Sequence, residues 1–384
     1  MSESNSARVS LVERTSFDTA APLNMHVLLG TGQSMRNQVG YAQSQTLRTD
    51  ANVQDLVRLT VGGTGGLPIE MQWPVANEAI WYALRAMLRS VEAAEASTTS
   101  CTTVVGTKTI TRAAGSFITD GYEAGDIVKN IGATPPGDNG FFKVTIVAAL
   151  TLTVQATTNF AGSAGNVTVV RGARMKNGTE RKFFDIEVGR LDTNLYELFR
   201  KFAFDGMTLN ISDNAITTAS FQLVGPGGTS TRDTSPLCLS YDDPTSGPIL
   251  DALGVPVFNV GGLPFSAKSI SITMSNNVRA RTQVGTLGGT AMPFGTLTAT
   301  TRITSYYSNF TEINNYTNNV ATDMWFVMQN ENSQALSFSY PRYKWSDLGA
   351  DTRGLNQDDY LEGSGQAIVH PTELCTVRMQ RFSV

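Results

Sequence analysis

Histidine and cysteine are nearly missing from this chain. Its 384 residues include two histidines, His26 and His370, and three cysteines, Cys101, Cys238 and Cys375. The histidines lie far apart, and the cysteines are odd in number with no CxxC spacing. Neither a disulfide framework nor a zinc site is expected, and a reducing compartment is the default. Charge is also scarce, at 16% of residues, and nearly balanced at 29 basic to 33 acidic, for a net charge of −4. That argues against a protein that grips nucleic acid through a basic face. No run approaches ~18 apolar residues, so no membrane-spanning helix is expected. The polar start, MSESNSARVS, lacks the apolar stretch of a signal peptide.

Catalytic patterns are equally thin. There is no GxSxG elbow and no Cys–His constellation. The glycine-rich pieces GTGQS (30–34) and GGTGG (62–66) lack the GK[ST] ending and a βαβ setting, and read as turn glycines. Asp242-Asp243 and Asp358-Asp359 lie outside any calcium-loop spacing and read as solvated loop acids. His26 and His370 read as structural. No enzyme, metal site or cofactor is expected.

What the chain does have is 35 glycines, abundant Thr, Ser and Asn, and 41% hydrophobic residues. That is the composition of a β-rich protein with many turns and a real core. Residues 1–25 read as a flexible arm. Residues 33–58 form a long polar loop between strand-like pieces. Over 75–95 the spacing of Ile80, Leu84, Met87, Leu88 and Val91 predicts a helix, with Asn77 as its cap after Pro74. Residues 97–172 then bring turn signals every ~10 residues, as in a small inserted sandwich. In MKNGTERKFFDIEVGR (175–190), Asn177-Gly178 reads as a tight hairpin turn. The strand after it alternates, with Phe184, Ile186 and Val188 on one face. LDTNLYELFRKF (191–202) reads as a short helix, and 225–265 as a Gly/Pro/Ser-rich connection.

The second half repeats the first in element order. GTLTATTRITSYYS (295–308) answers GGLPIEMQW, a polar segment at 309–322 takes the helix position, and YLEGSGQAI answers AITTASFQLVG. The expected fold is mainly β: a β-sandwich with a flanking helix, duplicated as units of about 150 residues. The first copy spans 1–96 plus 173–228, the inserted β domain 97–172, and the second copy 229–384.

Four stretches resemble the major tail tube proteins of long-tailed (siphovirus-type) bacteriophages. They are GQSMRNQ…SQTLRTDANVQDLVRL…GGTGGLPIEM (32–71), KNGTERKFFDIEVG (176–189), GMTLNIS…ITTASFQLVG (206–225) and KSISITMSNNVRARTQVGTLG…FGTLTATTRITSYY (268–307). The insert, with GDIV-type spacing over Tyr122–Gly132, is similar to the immunoglobulin-like decoration of some members. The resemblance implies a structural virion protein that polymerises into stacked rings, the conduit for DNA ejection. It implies that ring assembly closes one sheet into a continuous β-barrel. A two-copy chain implies a trimeric, pseudo-hexameric ring, with a homohexamer as the alternative. Implied partners are tail tip and tail terminator proteins, with the tape measure protein and genomic DNA in the lumen without specific binding. No membrane is involved. The implied place is the virion tail, assembled in the host cytoplasm. The long loop, through Arg36, Leu47, Arg48, Asp50, Val53, Asp55, Leu56 and Arg58, is expected to reach the next ring. The insert is expected to project outward and to be dispensable for tubes. Rival readings are a single-ring tail terminator or baseplate component, a carbohydrate-binding module using Trp73, Trp81, Trp325 and Trp345, and an enzyme with dispersed carboxylates.

Overall fold

The computed structural model describes residues 6–19, 24–46, 49–50, 52–245, 247–251, 254–307, 310–351 and 357–383. The chain begins with β1 (Ala7–Glu13), β2 (Asn24–Leu28), β3 (Arg36–Gln43), β4 (Leu56–Glu70) and helix α1 (Ala79–Leu88). Next come β5 (Ala96–Thr103), β6 (Thr109–Arg112), β7 (Ile127–Ile131), β8 (Gly140–Val147), β9 (Thr151–Gln155) and β10 (Ser163–Arg171). The middle of the chain holds β11 (Ala173–Lys176), β12 (Phe184–Arg190), β13 (Leu195–Ser212), β14 (Thr218–Gly225), β15 (Thr231–Asp233) and β16 (Ser240–Asp242). The rest holds β17 (Val257–Val260), β18 (Leu263–Pro264), β19 (Ala267–Ser275), β20 (Thr298–Tyr306), α2 (Thr311–Thr317), β21 (Thr322–Gln329), β22 (Ala335–Asp351), β23 (Tyr360–Ala367) and β24 (Arg378–Phe382).

Eight of these strands form one antiparallel wall in the order β3-β4-β14-β13-β19-β20-β23-β22. The order β3-β4-β14-β13 is answered by β19-β20-β23-β22. Both halves also carry a bulge at the same place. The ladder slips between Phe204 and Gly206 in β13–β14 and between Trp345 and Asp347 in β22–β23. A bulge bends its strand and sharpens its twist. The two longest strands leave the wall there, and their first halves join a second layer. That layer runs β2-β1-β12-β13-β15 on one side. On the other it runs β17-β21-β22-β24-β11.

The main core lies between the layers and spans both halves, from Leu67, Phe204 and Phe221 to Ile303, Phe326 and Tyr343. Helix α1 is apolar nearly all round, and eight of its residues are buried. A helix without a polar face belongs inside, and α1 fills the first half of the sandwich. It stops where Arg89 turns left-handed (φ 53°), its N–H returned to Ala86 and Arg85 carbonyls. Val91 therefore falls outside the helix and is exposed. The helix starts from Glu78, not from an Asn77 cap, because Asn77 has φ 64°.

Several expectations need correction. The start of the chain is not a free arm: β1 pairs with both β12 and β2. The segment 191–202 is not a helix. Leu195–Phe202 is the first half of β13, between β12 and β15. Leu198, Phe199 and Phe202 keep helix-like spacing only because this strand is buried on both faces and turns at Lys201 (φ 65°). Asn177-Gly178 is not a hairpin turn. The strands on either side pair elsewhere, β11 with β24 and β12 with β1 and β13. Asn177 instead uses its Oδ1 to accept the backbone N–H groups of Thr376 and Val377, at 2.6 and 3.0 Å. The GGTGG glycines are in mid-strand β4, not in a turn. The Phe202 ring lies over Gly63 and Gly225, where a Cβ would come within 2.4 and 2.5 Å of it. The long polar loop is a hairpin, since β3 pairs with β4 as far as Gln43 opposite Leu56. The insert is a closed barrel in the order β10-β5-β6-β9-β8-β7.

Candidate assembly surfaces

The wall has one face on the core and one facing away. Along β20, Ala299, Thr301, Ile303 and Ser305 are buried, while Thr300, Arg302 and Tyr306 are exposed. The same two-residue period runs through the neighbours. The outward face is a field of hydroxyls and amides, such as Asn210, Thr218, Gln222, Thr273, Thr300 and Gln366. Arg302 and Glu362 sit diagonally across β20–β23 as opposite charges on this neutral surface.

Both ends of the wall are open edges. β3 pairs only with β4, and the second half of β22 only with β23. Among the described residues no strand covers the other side of either. An unpaired edge is a row of free N–H and C=O groups that readily accepts another strand.

Beyond the wall, β3 and β4 continue as a two-stranded arm. Arg36 is exposed at its base opposite Thr64, and Arg58 lies opposite Tyr41. Near the tip, Asp55 Oδ1 accepts the Leu56 N–H at 2.7 Å, and Asp50 Oδ1 accepts that of Asn52 at 3.4 Å. Leu47 and Arg48 lie outside the described residues. Tyr41, Val53, Leu56, Val57 and Leu59 keep 47–59% of their surface exposed. Apolar groups gathered on so thin a projection mark an interaction surface.

The six-stranded barrel docks on the second layer through a buried charge cluster. Asp126 has no exposed side chain and meets Arg174 at 2.8 Å and Arg378 at 3.1 Å. Gln380 accepts the Ile127 N–H at 2.6 Å and donates to its carbonyl at 3.1 Å. Lys143 reaches Asp323 at 2.9 Å, and Trp325 Nε1 donates to Gln155 at 3.0 Å. Around them, Ile127, Phe141 and Val170 pack on Trp325, Val327 and Phe382. The barrel is therefore fixed in place and covers apolar surface of the second half.

Glu123 joins the cluster through Arg174 and Lys176. Burial works to raise its carboxyl, but the Lys176 hydrogen bond and the charges of Arg174, Lys176 and Arg378 outweigh that and hold it below the usual range. A carboxylate lowered in the folded state adds stability above its unfolded pKa, about 4.3, and loses it as pH falls through the folded value. Stability should thus decline on acidification below about pH 4, and less steeply in Glu123→Gln. Urea titrations of both proteins across that range are the check; equal slopes would remove Glu123 from the account.

The tryptophans offer no glycan platform. Trp81, Trp325, Trp345 and Trp73 are all buried. His26 and Asp242 approach to 3.5 Å on neighbouring strands, and among the described residues no group of three or more His, Cys, Asp or Glu gathers around a common point. The molecule has a polar wall, two open strand edges and an arm with exposed apolar groups.

A family model described as phage tail tube protein matches residues 4–371. The chain belongs to that family. It is a structural component of the phage tail, not an enzyme, and family membership implies self-assembly into stacked rings. A search of curated proteins found no match. In this tail tube protein, sequence reasoning singles out residues of the arm as assembly candidates and does not locate the open edges in the chain. The free stretch of β22 has no marker in its residue types. Neither do the partners of Asp126, which come from strands 48 and 252 residues away.

Proposed function

We propose that this chain is the repeating subunit of the tube of a long-tailed, siphovirus-type phage, that three chains close each ring, and that DNA leaves through the channel. The observation that carries this reading is the repeated strand order β3-β4-β14-β13 and β19-β20-β23-β22, with the bulge shared at Asp205 and Ser346. Each half then counts as one tube unit, so three chains give a pseudo-sixfold ring, with a homohexamer as the alternative. The first unit comprises 1–96 plus 173–228, the inserted domain 97–172, and the second unit 229–384. One qualification of those bounds is physical: β11, just after the insert, pairs with β24 of the second half.

In this reading the neutral face of the wall lines the lumen. Each Lys or Arg on a phosphate adds affinity by releasing counterions. A surface of hydroxyls lets DNA and a tape measure protein pass without holding them. The ends of the tube meet tail tip and tail terminator proteins, and assembly takes place in the host cytoplasm. The inserted barrel stands in the place of an immunoglobulin-like decoration.

Electron microscopy of the concentrated protein tests the reading. Hollow rings or stacked tubes with a sixfold wall and threefold modulation from the inserted barrel are expected. A wall carrying six inserts per ring would reject the three-chain ring. A single ring that never stacks would favour a terminator-like role.

A further inference from the structure

We infer that the open edges of neighbouring chains pair in the register of the joint that already links the two halves within one chain. This rests on the proposed ring. Inside the chain, β13 and β19 meet with Gly206 opposite Ser275 and Thr208 opposite Thr273. The repeated strands identify the counterparts of these residues on the free edges.

Gly206 and Asp347 each follow the shared bulge, and each pairs across to the next strand, with Gln222 and Ser364. Two residues further on, Thr208 corresponds to Gly349. On the other edge, Gln366 pairs with Thr300 and Thr300 with Thr273, while Val224 pairs with Thr64 and Thr64 with Arg36. Arg36 therefore corresponds to Thr273, and Gln38 to Ser275. Transferring the internal joint sets Gln38 of one chain opposite Asp347 of the next, and Arg36 opposite Gly349. All four are exposed and lie on edges that no described strand covers.

The transfer also agrees with burial. It sets Met35, buried like its counterpart Ile272, on the core side, and Arg36 and Gln38 on the outward face. A slip by one residue would turn every side chain of the joining strand to the wrong face. The occupant of each edge is thus a second copy of this chain, held in one register.

Paired cysteines test it. Gln38→Cys with Asp347→Cys, and Arg36→Cys with Gly349→Cys, are made in a Cys238→Ser background, the other two cysteines being buried. Directly opposed residues have Cβ atoms about 4.5–5.5 Å apart, close to disulfide reach, whereas diagonal ones stand at about 7–8 Å. Gln38→Cys with Gly349→Cys is the diagonal control. Mild oxidation of assembled rings should convert most of both opposed pairs to a covalent ladder ending at a closed trimer, and leave the control largely monomeric. Rings that cross-link only through the control would overturn the register and leave the tube function standing. Absence of rings from the unsubstituted protein, with no cross-link in any pair, would overturn both.

Discussion

Replacing Asp126 by alanine is expected to destabilise the protein by roughly 3–5 kcal/mol, the range found when one partner of a buried ion pair is removed. The carboxylate faces two guanidiniums, Arg174 and Arg378, and Arg378 is fully buried. Alanine would leave Arg174 with Glu123 and Arg378 with Glu373 as their remaining carboxylate partners, and remove the buried charge that both share. Against a total stability of about 5–15 kcal/mol, that is a large fraction. Urea unfolding followed by tryptophan fluorescence is a direct readout, because Trp325 lies in the apolar patch beside the cluster. A loss under about 1 kcal/mol would mean that the cluster is effectively solvated. The same contacts revise the expectation that the insert is dispensable. Removing it would expose Trp325, Val327 and Phe382 and leave Arg378 without Asp126. A barrel so seated is part of the fold of the second half.

The second large effect concerns the arm. Replacing residues 41–59 by Asn-Gly would join Gly40 and Thr60, which already face each other, through a two-residue turn suited to a hairpin. No described residue between them is buried, so thermal stability should change little. Tube formation should be lost entirely, while single rings persist because the wall and its edges are intact. Size-exclusion chromatography and electron microscopy of the variant separate the two outcomes. Tubes of normal length would show that the apolar residues of the arm have no part in stacking.

Much of this was legible in the residues. The alternation of Thr298–Tyr306 and the apolar spacing of Ile80, Leu84, Met87 and Leu88 state a strand and a helix directly, because one face must leave water. The reading failed where burial is two-sided or pairing is distant. Leu198, Phe199 and Phe202 look helical because strand β13 buries apolar residues on both of its faces there. Asn177-Gly178 looks like a hairpin because turn chemistry is local, whereas β11 finds its partner at the far end of the chain. The exposed groups of the arm were found because Arg36, Asp50, Val53, Asp55, Leu56 and Arg58 are set in an unusually long polar stretch. The edge of β22 was not found, since an edge is defined by what is missing beside it.

The internal β13–β19 joint has a kinetic consequence. Were six separate units to close a ring, each joint would form between independent molecules and the rate would fall steeply on dilution. In the proposed three-chain ring every second joint is made when the chain folds, its strands held at the high effective concentration of a tethered pair. Closure of that proposed ring becomes a three-body event. The two halves also differ in the segment that forms the arm. One half keeps the projecting arm, while in the other the matching segment folds back through Arg281 and Ala291. A ring of three such chains presents three arms, each spaced by a unit that has none.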